Sequence, residues 1–425
     1  MANMIDYIDW RGDLSLEKDP FNEVDNLILA ELAYVPFDNY VPGNDEEGSV
    51  TLADVGKRFF EDHPDKEELD KWNKSPRVLK KAMKATRFKN MRLRWFLNEM
   101  DNEREQQLAV VTFELEDGTS YVAFRGTDGT LVGWKEDFNM AYMFDTLGQL
   151  HAAAYMDDHF MTSERPLRLG GHSKGGNFAM FAGMFCSQEV REEIQWIYSN
   201  DGPGFHDKVM EMEGYKESVS KIVSIIPESS VVGMLLGNKN ENIVVKSDAD
   251  GFGQHDPLSW QVKRKTFVKA AELAESSVLL DKTLTKWLAT LKMEERQIFV
   301  DSLYDAIAAS GAATIEEMNA NPVKCYSAII KAAAKLPKEE SKVIKEAFGK
   351  LAKTGSDVIK DNVQTKIDQF VDENFKSVKK SDDAKKAPAK KKSSSGAKKK
   401  PASGTKKPAQ EKKPAPPKDP EPTVV

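Results

Sequence analysis

Apolar residues in the first hundred positions recur at helical spacing. Asn22 to Tyr34 (NEVDNLILAELAY) and Phe59 to Leu97, where charge mixes with scattered aromatics, both read as helices covering a sheet. The pattern then changes. Between Leu108 and Thr127 the segment LAVVTFEL, a turn at Asp117-Gly118 and the segment SYVAFRGT read as a β-hairpin running into a loop. From Leu167 onward short β-type runs alternate with helical ones: LRLGG with NFAMFAGMF, IQWIYS with a Gly-rich loop, KIVSII with VVGMLLG, and then NIVVKS. Such alternation is the signature of a sheet wrapped on both faces by helices. An α/β domain is therefore expected over residues 1–265.

Residues 266–378 lack a strand pattern and place apolar residues three or four apart, as at Phe348 and Leu351 or Val363, Ile367 and Phe370. A helical region is predicted, its helices packed on the body or on one another, with a membrane-surface or partner-binding face as the alternative. Over residues 379–425 the composition collapses to Lys, Ala, Pro, Ser and Gly. A segment so poor in apolar groups does not offset its ordering entropy, so a disordered basic tail is predicted.

Charge sharpens this division. The chain of 425 residues carries a formal net charge of -7, yet residues 379–425 hold 15 lysines against 5 acidic residues, so the rest is strongly acidic. Nucleic-acid binding by the folded part is disfavoured, while the tail is suited to weak contact with anionic polymers or membrane surfaces. Two cysteines imply no disulfide framework, and Cys186 reads as a small buried hydrophobe. No stretch approaches the roughly 20 apolar residues of a membrane span, and MANMIDYIDW is unlike a signal peptide. A cytoplasmic location is the expectation.

The strongest chemical signal is Gly170-Gly171-His172-Ser173-Lys174-Gly175-Gly176, a G-x-S-x-G sequence between a predicted strand and a predicted helix. A turn this tight presents the Ser173 hydroxyl to a substrate, and the helix N-terminus supplies oriented amides for a developing oxyanion. A serine needs a base. His63, His151 and His159 precede the nucleophile in helical or charged segments and are expected to serve surface roles. His172 adjoins Ser173, where the turn points its side chain elsewhere, and His206 has no later strand to carry it. His255, in the loop after NIVVKS, occupies the place that the order Ser, acid, His requires.

The orienting carboxylate is assigned to Asp201, at the end of IQWIYSN with a tight loop beyond it, because parallel sheets bind ligands at that edge. Asp248, Asp250 and Asp256 crowd His255 too closely in sequence to reach its Nδ1. One oxyanion donor is the Lys174 amide. Thr127, at the end of the hairpin, is a candidate for the second, with an ordinary strand-end turn as the equal alternative. For the Lys174 side chain, the readings are a solvated position on the helix and contact with an anionic leaving group.

Taken together, FRGT followed by Trp134 and Asp137, then GHSKGG, then Asp and His in that order, resemble the class 3 lipase branch of the α/β-hydrolases. The fuller set of DNLILAELAY, VAFRGTDG, GHSKGGNFAMFA, SNDGPGF and GQHDPLSW looks like the bacterial Mbeg-like family, described by analogy with lipases, over roughly residues 4–263. The resemblance implies a triad of Ser173, Asp201 and His255, with Thr127 and Lys174 as oxyanion donors. Lipases usually carry an apolar residue where Lys174 stands, which weighs against a long-chain triglyceride. The expected activity is hydrolysis of a small-molecule or lipid ester through an acyl-serine, with no metal or organic cofactor. A non-catalytic hydrolase fold serving as an interaction module is the alternative.

Overall fold

The computed structural model describes residues 1–65, 74–127 except 102, 135–163 except 138, 141, 142 and 144, 165–237, 241–308, and the single positions 342, 346, 350 and 353. The expected disordered tail, and nearly all of the expected helical region beyond residue 308, lie outside them.

Eight strands form one sheet in the order β1-β2-β3-β4-β5-β6-β7-β8: Val50–Thr51, Arg92–Asp101, Gln106–Glu114, Ser120–Phe124, Leu167–His172, Ile194–Asn200, Ile222–Pro227 and Asn242–Val245. The first four pair antiparallel and the last five parallel, with β4 belonging to both sets. The chain starts with helices α1 (Met4–Arg11), α2 (Glu23–Leu32), α3 (Leu52–Asp62) and α4 (Ser75–Ala82). Between the parallel strands run α5 (Leu147–Phe160), α6 (Lys174–Phe185), α7 (Gln188–Glu193), α8 (Asp207–Met210) and α9 (Glu213–Ser218).

Strand order dictates where the helices go. Parallel strands added in sequence, always on the same side, with right-handed crossovers carry their connecting helices on one face. On that face α5, α6 and α9 pack with Leu108, Val110, Val122, Leu167, Leu169 and Ile197. The opposite face, bearing Val111, Phe113, Tyr121 and Ala123, would be bare, and the N-terminal helices cover it through Leu27, Ile28, Val55, Phe59 and Leu79. Adjacent residues of β3 and β4 thus point to different cores, as the two-residue strand period requires. Asn22 caps α2, accepting from the Val24 and Asp25 amides, while Asp25 reaches back to the Asn22 N–H. Beneath it Arg87 holds Asp25 in a fully buried bidentate ion pair, Nε to Oδ1 at 2.6 Å and Nη2 to Oδ2 at 2.5 Å.

Two readings of the sequence need correction. Phe59 to Leu97 is not helical throughout, because Arg92–Asp101 is a strand. Its register shifts between Arg94 and Leu97, where Trp95 sits at φ 54°. The bulge brings Leu93 and Phe96 to one core and Trp95 and Leu97 to the other, a three-residue spacing that imitates a helix. The body also continues past residue 265. Thr266–Phe267 (β10) pairs with Val262–Lys263 (β9), and Phe267 packs against buried Trp260. Two-residue strands have no legible period. After them come the helices α10 (Glu275–Ala289) and α11 (Met293–Ala308). Among the described residues no helix is long and apolar enough to cross a membrane.

Candidate active site

Ser173 stands between the C-terminal end of β5 and the first residue of α6, at φ 58° and ψ -132°. A serine held at positive φ is strained, and the strain is sustained by packing around the turn. A Cβ on Gly175 would fall 2.1 Å from the Phe124 carbonyl oxygen, so α6 starts this close to β4 only because position 175 is glycine. Gly126 is as constrained, with Tyr34 Oη, the His172 carbonyl and Ser173 Cβ all around it. The FRGT turn therefore abuts the serine. Ser173 makes no side-chain cap to α6, which leaves its hydroxyl for other partners.

That partner is His255. Its Nε2 lies 3.0 Å from Ser173 Oγ and its Nδ1 2.6 Å from Asp201 Oδ2. Three separate strands converge here: Ser173 follows β5, Asp201 follows β6, and His255 lies in a 3-10 turn after β8. Asp201 is fully buried at φ 50°, held by its amide on the Ile225 carbonyl. Its second oxygen accepts from Ser230 Oγ at 2.5 Å and the Gly233 N–H at 3.1 Å, which fixes the carboxylate plane toward the imidazole. Ser277 of α10 in turn donates to the Ser230 carbonyl, bracing this loop.

His172 supports His255 from the other side. Its Nε2 is 2.8 Å from the His255 carbonyl, which only accepts, so Nε2 carries the proton and Nδ1 accepts from Tyr34 Oη at 3.1 Å. Burial, and then the neighbouring His255, push its pKa down to about 3. It is a neutral buried strut rather than a base. The remaining histidines are engaged elsewhere: His63 near Tyr40, His151 with Glu99, His159 stacked on Trp95, and His206 on the Met140 carbonyl. Asp248 takes the N-terminal amine and Asp256 pairs with Lys74, so neither competes for His255.

The candidate oxyanion donors lie on two segments beside Ser173. Neither the Lys174 N–H nor the Thr127 N–H has a hydrogen-bond partner among the described residues. Thr127 Oγ1 donates to Asp137 Oδ2 at 2.5 Å, while Asp137 Oδ1 is buried with no partner among the described residues. Both sequence readings of the Lys174 side chain are overturned. Its side chain is 1 % exposed and its Nζ donates to Glu136 Oε2 at 3.0 Å, so it is neither solvated nor free to meet a leaving group.

Sequence reasoning missed Tyr34, Glu136, Ser230 and Gly233. Ser230 lies in a run of two serines with no local mark, and Glu136 sits among charged neighbours that resemble a solvated face. Among the described residues no group of three or more His, Cys, Asp or Glu side chains could hold a metal ion.

No curated protein matches the chain. A model of the Mbeg1-like family, in contrast, matches residues 82–305, from the end of α4 into α11, and so takes in β2 to β8, the sites of Ser173, Asp201 and His255, and helix α10, whose Ser277 holds the Ser230 loop. The match spans more than half of the sequence, and the chain belongs to the Mbeg1-like family.

Proposed function

We propose that this protein is a serine hydrolase of the α/β-hydrolase type, acting on carboxylic esters through an acyl-serine intermediate. The observation that carries the reading is the unbroken relay from Ser173 Oγ to His255 Nε2 (3.0 Å) and from His255 Nδ1 to the fully buried Asp201 (2.6 Å). These are the contacts a general base and its orienting carboxylate need.

In the first step Ser173 Oγ attacks the ester carbonyl while His255 Nε2 takes its proton. The carbonyl π pair moves onto oxygen, where the Lys174 and Thr127 amides would receive it. Collapse of this tetrahedral adduct breaks the bond to the alkoxide, which leaves with the proton from His255. Water then repeats the sequence on the acyl-serine, releasing the acid and restoring Ser173. Throughout, Asp201 holds the Nδ1–H tautomer and stabilises the imidazolium. Lys174 Nζ is withdrawn into the core on Glu136, so that cation is not available to a charged group of the substrate.

The test is treatment with a fluorophosphonate followed by peptide mass spectrometry, with hydrolysis of short p-nitrophenyl esters measured alongside. A stoichiometric adduct on Ser173, absent in Ser173→Ala, is expected. Absence of both adduct and turnover under conditions that label control esterases would leave a non-catalytic hydrolase fold.

A further inference from the structure

The residue after the nucleophile is a lysine whose ammonium lies in the protein core. Lys174 Nζ donates to Glu136 Oε2 at 3.0 Å and to the Gln107 carbonyl at 3.3 Å, and both charged side chains are 1 % exposed. Glu136 accepts three further donors: the Gln107 N–H at 3.0 Å, Thr146 Oγ1 at 3.1 Å and the Gly148 N–H at 3.0 Å. The pairing of the two charges by itself gives little net stability, since an apolar pair of similar volume commonly holds a fold as well or better, although the neutral donors on Glu136 do need an acceptor. Stability alone does not account for the lysine.

Its connections do. The Lys174 N–H belongs to α6, whereas Thr127 sits on the loop after β4. Glu136 is followed directly by Asp137, whose Oδ2 accepts from Thr127 Oγ1 at 2.5 Å. A chain of contacts therefore runs from the Lys174 ammonium through Glu136 and Asp137 to Thr127, joining both segments that flank Ser173. We propose that Lys174 and Glu136 are a positioning pair that sets the separation of the two oxyanion donors, and thereby acts on the transition state of ester hydrolysis rather than on substrate affinity. This rests on the serine hydrolase reading. A second effect supports it. Burial raises the Asp137 carboxyl to about 6, and the Lys174 charge is the largest influence opposing that rise, so the lysine helps keep Asp137 an acceptor for Thr127.

The experiment compares the full-length protein with Lys174→Met, Glu136→Gln and the double variant Lys174→Met/Glu136→Leu, which replaces the charges with apolar volume. For each, kcat and KM are measured on p-nitrophenyl butyrate, the inhibition constant on a butyl boronic acid that forms a tetrahedral serine adduct, and the unfolding midpoint by calorimetry. In the double variant the midpoint should fall, because Glu136→Leu leaves the Gln107 and Gly148 N–H groups and Thr146 Oγ1 without that acceptor, so kinetics are read at a temperature where the variant is fully folded. Its kcat should fall by about 10- to 100-fold with KM within about threefold, and the boronate should bind correspondingly more weakly, because the donors are displaced rather than removed. A merely structural pair would leave the kcat of the folded double variant unchanged. A folded double variant with kcat within about twofold of wild type overturns the inference and leaves the hydrolase reading intact. A wild-type protein that neither turns over ester nor reacts with fluorophosphonate overturns both.

Discussion

Replacing Asp201 by asparagine changes one oxygen to an NH2 group and almost nothing else, so its effect is traceable atom by atom. Oδ1 already accepts from Ser230 Oγ and the Gly233 N–H, and an asparagine carbonyl keeps both bonds by taking that position. The NH2 is then directed at His255 Nδ1, 2.6 Å away in the native protein. Because it donates, Nδ1 must become the acceptor, and the proton moves to Nε2. His255 then meets Ser173 with an N–H and no lone pair, so the proposed general base is lost. An inverted tautomer of this kind lowers kcat by about 10⁴-fold in the well-studied serine protease triad, which is about 5.5 kcal/mol of barrier. The loss of stability should be smaller, about 1–2 kcal/mol, since one charge-assisted hydrogen bond is weakened and no cavity is made. Turnover of p-nitrophenyl butyrate, fluorophosphonate labelling of Ser173 and calorimetric unfolding should be measured on the same preparations. A folded Asp201→Asn protein retaining activity within about tenfold of wild type would show that His255 does not depend on this carboxylate, and the relay would be wrong.

Two buried groups should give the protein opposite pH responses. Burial pushes the Glu31 carboxyl up to about 8, so its folded pKa exceeds the unfolded one; the stability it confers is present below about pH 4.5 and lost as pH rises through 8. Glu31→Gln should flatten that decline, by up to about 1.4 kcal/mol per pH unit in urea titrations run between pH 5 and 8.5, and an unchanged slope would refute the assignment. His172, lowered to about 3, contributes stability present above about pH 6.5 and lost as pH falls toward 3. In His172→Phe the acid sensitivity over that window should shrink, and turnover should fall because the His255 carbonyl loses its donor. Arg87→Met should destabilise the fold by about 3–5 kcal/mol, seen as a lower unfolding midpoint with Ser173 chemistry intact in the folded fraction, since Asp25 is left charged and buried.

Much of the geometry of the candidate site is legible because short local patterns fix where Ser173, Asp201 and His255 stand. The tight strand-to-helix turn at Ser173 needs glycine at position 175, where the Phe124 carbonyl would meet any side chain, and that requirement is visible in the sequence. Asp201 and His255 could be selected by elimination, since few histidines and carboxylates fall at strand ends after the serine. Strand β2 reads as a helix in the sequence because its bulge puts Leu93 and Phe96 on one face at a spacing that belongs to helices. The two-residue strands β9 and β10 offered no period to read.

The sequence by itself determined the alternation of strands and helices, the strained turn and the identity of the three residues that converge. Those depend on steric and periodic requirements that act over a few neighbours. Only the tertiary structure decided what surrounds them. A lysine beside Ser173 reads as solvated until β3 and the segment carrying Glu136 close around it, and Glu136 reads as one more surface charge until the Gln107, Thr146 and Gly148 donors converge on it. Whether a charge is buried depends on partners from distant segments, and the Lys174–Glu136 pair, 38 residues apart, exists only once the sheet has brought them together.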